Sequence, residues 1–561
     1  MFLRKKYACL TISTIARAIS AKTRYRRNMT TVDHAVGAFS QNPPWVVNPE
    51  EMTWRIGINE VRNSTRAELP LLLQKGRRPP VKRAFQVVFT ILRAFIPWFF
   101  GARKKGGETS RSDLSKRLRI AFTHLGPTYI KLGQILSSGE GIFPAEVVDE
   151  FKLLRDRVPP ETFEDVRNTI EQDLGMPLES IFSEFSSSPL AAASIAQVHV
   201  AKLRDGQEVV VKVQRPKISQ QVRQDLAVMN WLAPFLVGRI PVSSLANPPA
   251  LVELFADTIL EELDFRLEAQ NMLDVAEVLA TTDQRSIVVP RPHPELITRR
   301  VLVMERLSGF AWDDVAGMKS AGVNTEIVLR AGMISFLEGA MLFGVFHGDL
   351  HGGNLLVQTD GTVALLDFGI TGRLDPTKRL AFLRLLVGAT ANQIPEQIAA
   401  LRDLGALPMD VDIDQVIIDL GLDAPAVDPT LLSADEIIVE IQKLAKGLLS
   451  YGAKLPKELM LFAKNMLFMD SAVALFAPNI DILGEIAHIA NYFAEHHGDR
   501  IAKDVGFDPR EVPVDLDGVR ATMGLTPDVK SITYKDLQKR REIIRSRLES
   551  AQSPKRRKPR R

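Results

Sequence analysis

The sequence predicts an α+β chain of two lobes, a small strand-bearing lobe followed by a larger helical one, with a helical extension in front. Three observations predict it. Glu208-Val209-Val210-Val211-Lys212-Val213 is a β-branched run bounded by Asp205-Gly206 and Pro216, so it reads as a strand entered through a tight hairpin turn. From Glu253 to Met272 the chain is long, charged and free of glycine and proline, which predicts one helix. Further on, His347-Gly348-Asp349-Leu350-His351-Gly352-Gly353-Asn354 precedes Leu365-Leu366-Asp367-Phe368-Gly369, two loop motifs inside a half of the chain that otherwise reads as helical.

The loop motifs carry chemistry. Asn354 follows Asp349 by five residues and Asp367 follows Asn354 by thirteen, which is the core of a kinase-type phosphoryl-transfer site. Such a site needs one carboxylate to orient or deprotonate the attacking hydroxyl, here Asp349. It also needs an amide and a second carboxylate to hold Mg²⁺ on the phosphates of ATP, here Asn354 and Asp367. A buried polar turn, or a hydrolase-type metal triad of His347, Asp349 and His351, leaves the spacing to Asn354 and Asp367 unexplained. Lys212 sits within an apolar run, where a charge is costly unless paired. Its functional reading is the lysine that contacts the α- and β-phosphates; the bland one is a strand lysine reaching to solvent. Its partner comes from the acidic helix. Asp264 and Glu268 are four apart and share a face, while Glu262 points elsewhere, and spacing alone does not choose among them. Where a glycine-rich phosphate loop would stand, the chain has Ala191-Ala192-Ala193-Ser194, whose backbone N–H groups and hydroxyl suit phosphate but with less conformational freedom than glycine. The fold class is therefore a two-lobed protein-kinase-like fold with ATP and Mg²⁺ as cofactors.

These motifs, in this order, resemble the UbiB/AarF family of atypical protein-kinase-like proteins. The alanine-rich loop is one signature, Lys131-Leu132-Gly133-Gln134 a second, and Glu262-Leu263-Asp264 a third; the resemblance covers about residues 50 to 500. Within the family, Phe336 to Arg384 looks most similar to actinobacterial, mycobacteria-like members. The resemblance implies that Lys212 binds nucleotide with Glu268 as its helix partner. It implies that Asp349 is catalytic, that Asn354 and Asp367 bind metal, and that Met304, Glu305 and Leu307 belong to the hinge that holds adenine. It also implies that the helix bearing Lys131 and Gln134 folds over the site, held by Glu262 and Asp264. An independent hint agrees: after Gly369 the chain passes through Ile370-Thr371-Gly372-Arg373-Leu374-Asp375-Pro376 straight into a helix-like segment, without a long activation segment. ATP hydrolysis, or phosphorylation of a small or lipid molecule, fits better than phosphorylation of proteins, and the resemblance implies support of isoprenoid quinone or prenyl-lipid metabolism. Two other readings stand: an aminoglycoside- or choline-type phosphotransferase, and a nucleotide-gated pseudokinase that binds lipids.

Charge and length set the surroundings. A chain of 561 residues accommodates a two-lobed enzyme with extensions. The single cysteine excludes intrachain disulfides and multi-cysteine metal sites, which suits a reducing compartment. Before Asp33 there is no acidic residue but there are eight lysines and arginines, from Arg4 to Arg27. That reads as a mitochondrial transit peptide in a eukaryote, or in a bacterium as a basic tail or an over-long start with the true one near Met29. The last residues, Lys555 to Arg561, are basic as well; a solvated tail competes with binding to anionic lipid, and no nucleic-acid motif is present. Phe85 to Phe100 is apolar and aromatic but interrupted by Arg93 and Pro97 and flanked by Arg77-Arg78, Lys82-Arg83 and Arg103-Lys104-Lys105. It reads either as an in-plane interfacial anchor or as a helix packed on the core. Leu459 to Phe476, carrying Lys464 and Asp470, reads as a buried helix of the second lobe. The expected organisation is a mobile basic arm (1–48), a basic amphipathic helical segment (49–106), a helical extension with Lys131 and Gln134 (107–185), an N-lobe (186–305), a C-lobe (306–500), and a polar helix with a basic tail (501–561). The expected location is the cytoplasm, peripheral on the inner face of a membrane, or the mitochondrion in a eukaryote.

Overall fold

The protein is described from a computed structural model covering residues 39–552, except 41–43, 47, 49, 75, 77, 138–144, 155–157, 238–247, 391–392, 423–446, 448–449, 454–455, 507, 512–513 and 527. The N-lobe sheet contains β1 (Phe182–Phe185), β2 (Ala191–Ala192), β3 (Ala196–Leu203), β4 (Glu208–Gln214), β6 (Pro292–Ile297) and β7 (Val301–Glu305), in the order β1-β3-β4-β7-β6 with β2 also on β3. Short β5 (Ile287–Val288) lies just ahead of β6 but joins another sheet. The hairpin between β3 and β4 turns at Gly206, whose φ of 92° is open to glycine, and pairs Val198 with Lys212.

The apolar run of β4 is explained by cover on both faces. Val209, Val211 and Val213 pack against helix Phe163–Leu174, while Val210 belongs to the larger core on the opposite face. Lys212 shares that inner face. Helix Phe265–Thr281 lies on it, packed against β6 and β7.

The continuous helix expected from Glu253 to Met272 is instead two helices, Pro248–Glu261 and Phe265–Thr281. The break is local chemistry: Asp264 takes an extended conformation and its carboxylate caps the second helix by accepting from Arg266 N. An N-cap carboxylate satisfies a donor that the first turn leaves open.

The C-lobe carries small sheets beside helices Thr325–Glu338, Pro376–Thr390, Lys457–Phe476 and Ile482–Val505. One sheet has the order β5-β11-β10-β8, from β8 (Phe310–Ala311), β10 (Leu355–Val357) and β11 (Val363–Leu365). The other pairs β9 (Val345–His347) with β12 (Thr371–Arg373). Helix Pro376–Thr390 follows the Asp-Phe-Gly loop after only the short strand β12.

In front of the N-lobe, helices Ile58–Leu72, Val81–Phe100, Gly107–Leu125 and Pro127–Ser137 pack around helix Ile218–Leu236 and each other. The mobile arm expected up to residue 48 is corrected at its end. Phe39 is buried beneath the Arg291 guanidinium, 4.5 Å from its ring centre, and the Trp45 indole donates to Pro292 O at 3.0 Å. Two aromatic side chains bury enough surface to fix this strap, which composition alone disguised. Residues 1–38 and the basic tail from 553 lie outside the described residues.

Candidate active site

β4 delivers Lys212 to the inner face, where its Nζ lies 2.7 Å from Glu268 Oε1 and 3.3 Å from Asp367 Oδ2. Glu268 stands in the first turn of helix Phe265–Thr281, and Phe265 places its ring 5.4 Å from the same ammonium. Burial works against the charge on Lys212, but Asp367 and Glu268 outweigh it and raise its pKa. Of the helix acids left open by spacing, Glu268 is the one that meets the lysine. Its Oε1 also faces the Phe368 N–H, at 3.5 Å, so the lysine, the helix and the Asp-Phe-Gly loop are linked at one point.

The catalytic loop leaves β9 at His347. Its Gly348 N–H donates to Ile370 O at 2.9 Å, and a Cβ at Gly348 would meet Ile370 Cγ2 at 2.8 Å, so the two loops approach as only glycine permits. The His347 ring is hydrogen-bonded to Asp367 O, and Asn354 Nδ2 donates to Asp349 O at 3.1 Å. Asp367 Oδ1 accepts from Gly369 N at 2.9 Å. Asp349, Asn354 and Asp367 are thus carried by two hydrogen-bonded loops, with Lys212 against Asp367.

Two site residues were missed by sequence reasoning. Both come from helix Lys457–Phe476. Asn465 is fully buried; it accepts from Leu350 N at 3.0 Å and donates to His347 O, pinning the loop on both sides of Asp349. Lys464 is ion-paired to Asp349 Oδ1. Burial would raise the Asp349 pKa, yet Lys464, then His351 and Lys131, hold it far below the usual carboxylate range. The only sequence signal was a Lys-Asn pair interrupting an apolar helix.

Helix Pro127–Ser137 also brings a side chain to these residues. Lys131 Nζ is 2.8 Å from Glu262 Oε1, both nearly buried. Burial opposes the lysine's charge, and Glu262, Asp349 and Asp367 outweigh it and raise its pKa. Gly369 lies beside the same acid: a Cβ there would stand 3.4 Å from Glu262 Cγ. Gln134 donates to Leu154 O at 3.4 Å. The expectation that Asp264 also holds this helix is corrected, because its carboxylate is taken by the helix cap and by Arg266 at 2.7 Å.

The alanine loop is a tight turn in which Ala193 N–H donates to Ala196 O at 2.8 Å. Arg215 braces it by donating to Ala193 O at 3.1 Å and pairing with Glu161 at 2.7 Å. Ala191 and Ala193 are exposed and Ala192 half-buried. Ser194 is buried. At the hinge, Met304 is buried, and Glu305 turns its carboxylate back to Ser40 and to Arg291 N, 3.2 Å away. The backbone N–H and C=O of Leu307 make no hydrogen bond among the described residues, as an adenine edge would require.

The donor set fits Mg²⁺ and ATP. Among the described residues no three His, Cys, Asp or Glu side chains gather into a metal-binding group. Mg²⁺ does not need one, since it is commonly held by one or two protein oxygens plus substrate phosphates. Asn354 supplies an amide oxygen with no hydrogen-bond partner among the described residues, and the Asp367 side chain is 43% exposed.

Residues 153–399 match the ABC1 atypical kinase-like domain. An uncharacterised protein of Mycobacterium tuberculosis (strain H37Rv) is 36% identical over 433 residues, 73% of this chain and 83% of that one. The probable protein kinase UbiB of Aeromonas salmonicida is 30% identical over 431 residues, 72% of this chain and 77% of that one. A chloroplastic aarF domain-containing protein kinase of Arabidopsis thaliana, also uncharacterised, is 35% identical over 398 residues, 65% of this chain and 72% of that one. With a kinase-like lysine–glutamate pair, a matching catalytic loop and relatives that align over most of their length, the chain belongs to the UbiB/AarF family of atypical kinase-like proteins.

Proposed function

We propose that this protein is a Mg²⁺-dependent ATP-using enzyme, an ATPase or a phosphotransferase for a small or lipid molecule, working at or near a membrane in isoprenoid quinone or prenyl-lipid metabolism. The observation that carries the reading is Lys212 held between Glu268 and Asp367, facing a loop that presents Asp349 and Asn354. In this reading Lys212 grips the α- and β-phosphates, and Asn354 and Asp367 hold the metal, which neutralises phosphate charge. Asp349 is ionised and accepts a hydrogen bond from the attacking hydroxyl or water, so it orients more than it stores a proton. The backbone of Leu307 receives adenine. The Lys131–Glu262 pair covers the side where a peptide would enter, which favours water or a small acceptor over a protein.

One observation favours a second reading, a nucleotide-gated binding protein: Lys464 already occupies the Asp349 carboxylate. Magnesium-dependent ATP hydrolysis by the purified protein decides between them, measured with and without anionic vesicles and a phenolic quinone-precursor analogue. Turnover that disappears in Asp349→Asn and in Asp367→Asn supports the enzyme. Tight nucleotide binding with no turnover under any of these conditions supports the binding protein.

A further inference from the structure

Helix Val81–Phe100 has two faces that do opposite things. One is fastened to the protein. Val87 and Ala94 are buried on it, Arg83 pairs with the wholly buried Asp225 at 2.6 Å and donates to Leu125 O at 2.6 Å, and the Trp98 indole donates to Ser110 O at 3.0 Å. The other face carries Val81, Phe85, Phe89, Leu92, Ile96, Phe99 and Phe100, spaced by three or four residues along one stripe and 48–84% exposed. A stripe of this kind runs about 30 Å along the helix. Scattered exposed apolar residues need no explanation, but a contiguous aromatic row does.

Charge says what covers it. From Glu68 to Glu108 no acidic residue intervenes, while nine lysines and arginines do. Arg78 and Lys82 stand exposed at one end, Arg103 and Lys104 at the other, and exposed Arg93 lies along the side. The Arg103 guanidinium also lies 4.5 Å over the Phe99 ring. An apolar stripe inside a purely basic frame is complementary to an anionic bilayer surface, with the rings among the acyl chains and the cations among the headgroups.

We propose that Val81–Phe100 is an in-plane docking face that seats the protein on anionic lipid. The helix is long and apolar enough to cross a membrane by length and composition. Crossing would strip Arg83 from Asp225 and leave a wholly buried charge unpaired, which is strongly unfavourable. The helix therefore lies flat, with the protein behind it. The proposal rests on the membrane-proximal reading given above, but its test reads binding and not turnover, so either can fail alone.

The test is co-flotation of the full chain with vesicles of phosphatidylcholine, and of phosphatidylcholine with one-third phosphatidylglycerol. The wild type should float with the anionic vesicles, and less so at high salt. Phe85→Ser/Phe89→Ser/Ile96→Ser should lose at least tenfold in the bound fraction while keeping Mg-ATP binding, which certifies its fold. Arg93→Glu/Lys82→Glu should lose the preference for anionic lipid. Asp367→Asn should float like the wild type. The idea is overturned if the triple variant floats unchanged, if the wild type ignores both vesicles, or if the stripe proves to be the contact of a dimer that the triple variant dissolves.

Discussion

At the scale of the residue, the acidic and amide members of the site were legible because their spacing is local. Asp349 and Asn354 share one loop, and Asp367 ends the hairpin β10–β11 that follows. Asn465 was not legible as a site residue, because it reaches the loop from 115 residues downstream and its one local mark, a Lys-Asn pair in an apolar helix, does not say what it meets. Its contribution can be measured. Asn465→Ala removes the acceptor for Leu350 N and the donor to His347 O, leaving two backbone groups unsatisfied in the interior. Each such group costs about 1–3 kcal/mol, so the variant should lose about 2–6 kcal/mol of stability. It should also slow catalysis more than it weakens nucleotide binding, since Lys212 and Asp367 are untouched. A urea midpoint equal to that of the wild type would show that water replaces the amide and that the loop holds itself. The lesson for Glu268 is different. The helix offered several acids at plausible spacing, and what selects Glu268 is the break at Asp264, which resets the helix so that its first turn faces β4.

At the scale of the element, Phe39 and Trp45 show how side chains from a polar, proline-interrupted stretch can still join the packed structure. The Trp45 ring centre lies 4.9 Å from that of His293, whose Nδ1 accepts from Glu295 N and Leu296 N, both at 3.1 Å. That geometry needs a neutral imidazole, and burial pushes the His293 pKa down from 6.5 to about 4 against a weaker pull from Asp205. The unfolded chain therefore takes up this proton first as the solution is acidified. The stabilisation is whole above pH 6.5 and is lost as the pH falls toward 4. Allowing for partial exposure, the loss is on the order of 2 kcal/mol. Acidification from pH 7 to 4.5 should shift Trp45 fluorescence and open the strap to protease. In His293→Gln, which cannot take up the proton, the acid-dependent part of both changes should vanish; identical pH curves for the two proteins would rule the histidine out. Helix Val81–Phe100 teaches a related point. Its composition supported both a packed helix and an interfacial one, and the structure assigns a packed face and an open face to the same element.

At the scale of the molecule, the two lobes and the extension share one hydrophobic core. Phe39, Trp54, Leu72, Val87 and Leu125 from the front of the chain join Phe255 and Phe265 of the N-lobe, and Phe368, Phe382 and Met469 of the C-lobe, in a single cluster. The two-lobed plan could be read from sequence because strands and helices announce themselves by period. The docking of the extension could not, since it depends on which helix faces meet. This arrangement makes a strong demand on the stretch 153–399 that matches the family domain. Expressed alone, that stretch keeps Lys212, Glu268, Asp349, Asn354 and Asp367. It loses Asn465 and Lys464 with helix Lys457–Phe476, Lys131 with helix Pro127–Ser137, and the Arg83 partner of buried Asp225. It would also expose the side of the cluster now covered by Leu72, Val87 and Leu125, an apolar surface that small soluble domains do not present. The fragment should therefore be molten or aggregated, with weak near-ultraviolet circular dichroism, binding of an apolar dye and no Mg-ATP-dependent rise in its thermal midpoint, whereas the full chain should show that rise. A fragment that unfolds cooperatively and is stabilised by Mg-ATP would mean that the extension and the Asn465 helix are accessories to an autonomous domain. In that case the cover over Asp349 would be separable from the site it covers, and a protein acceptor would return as a serious candidate.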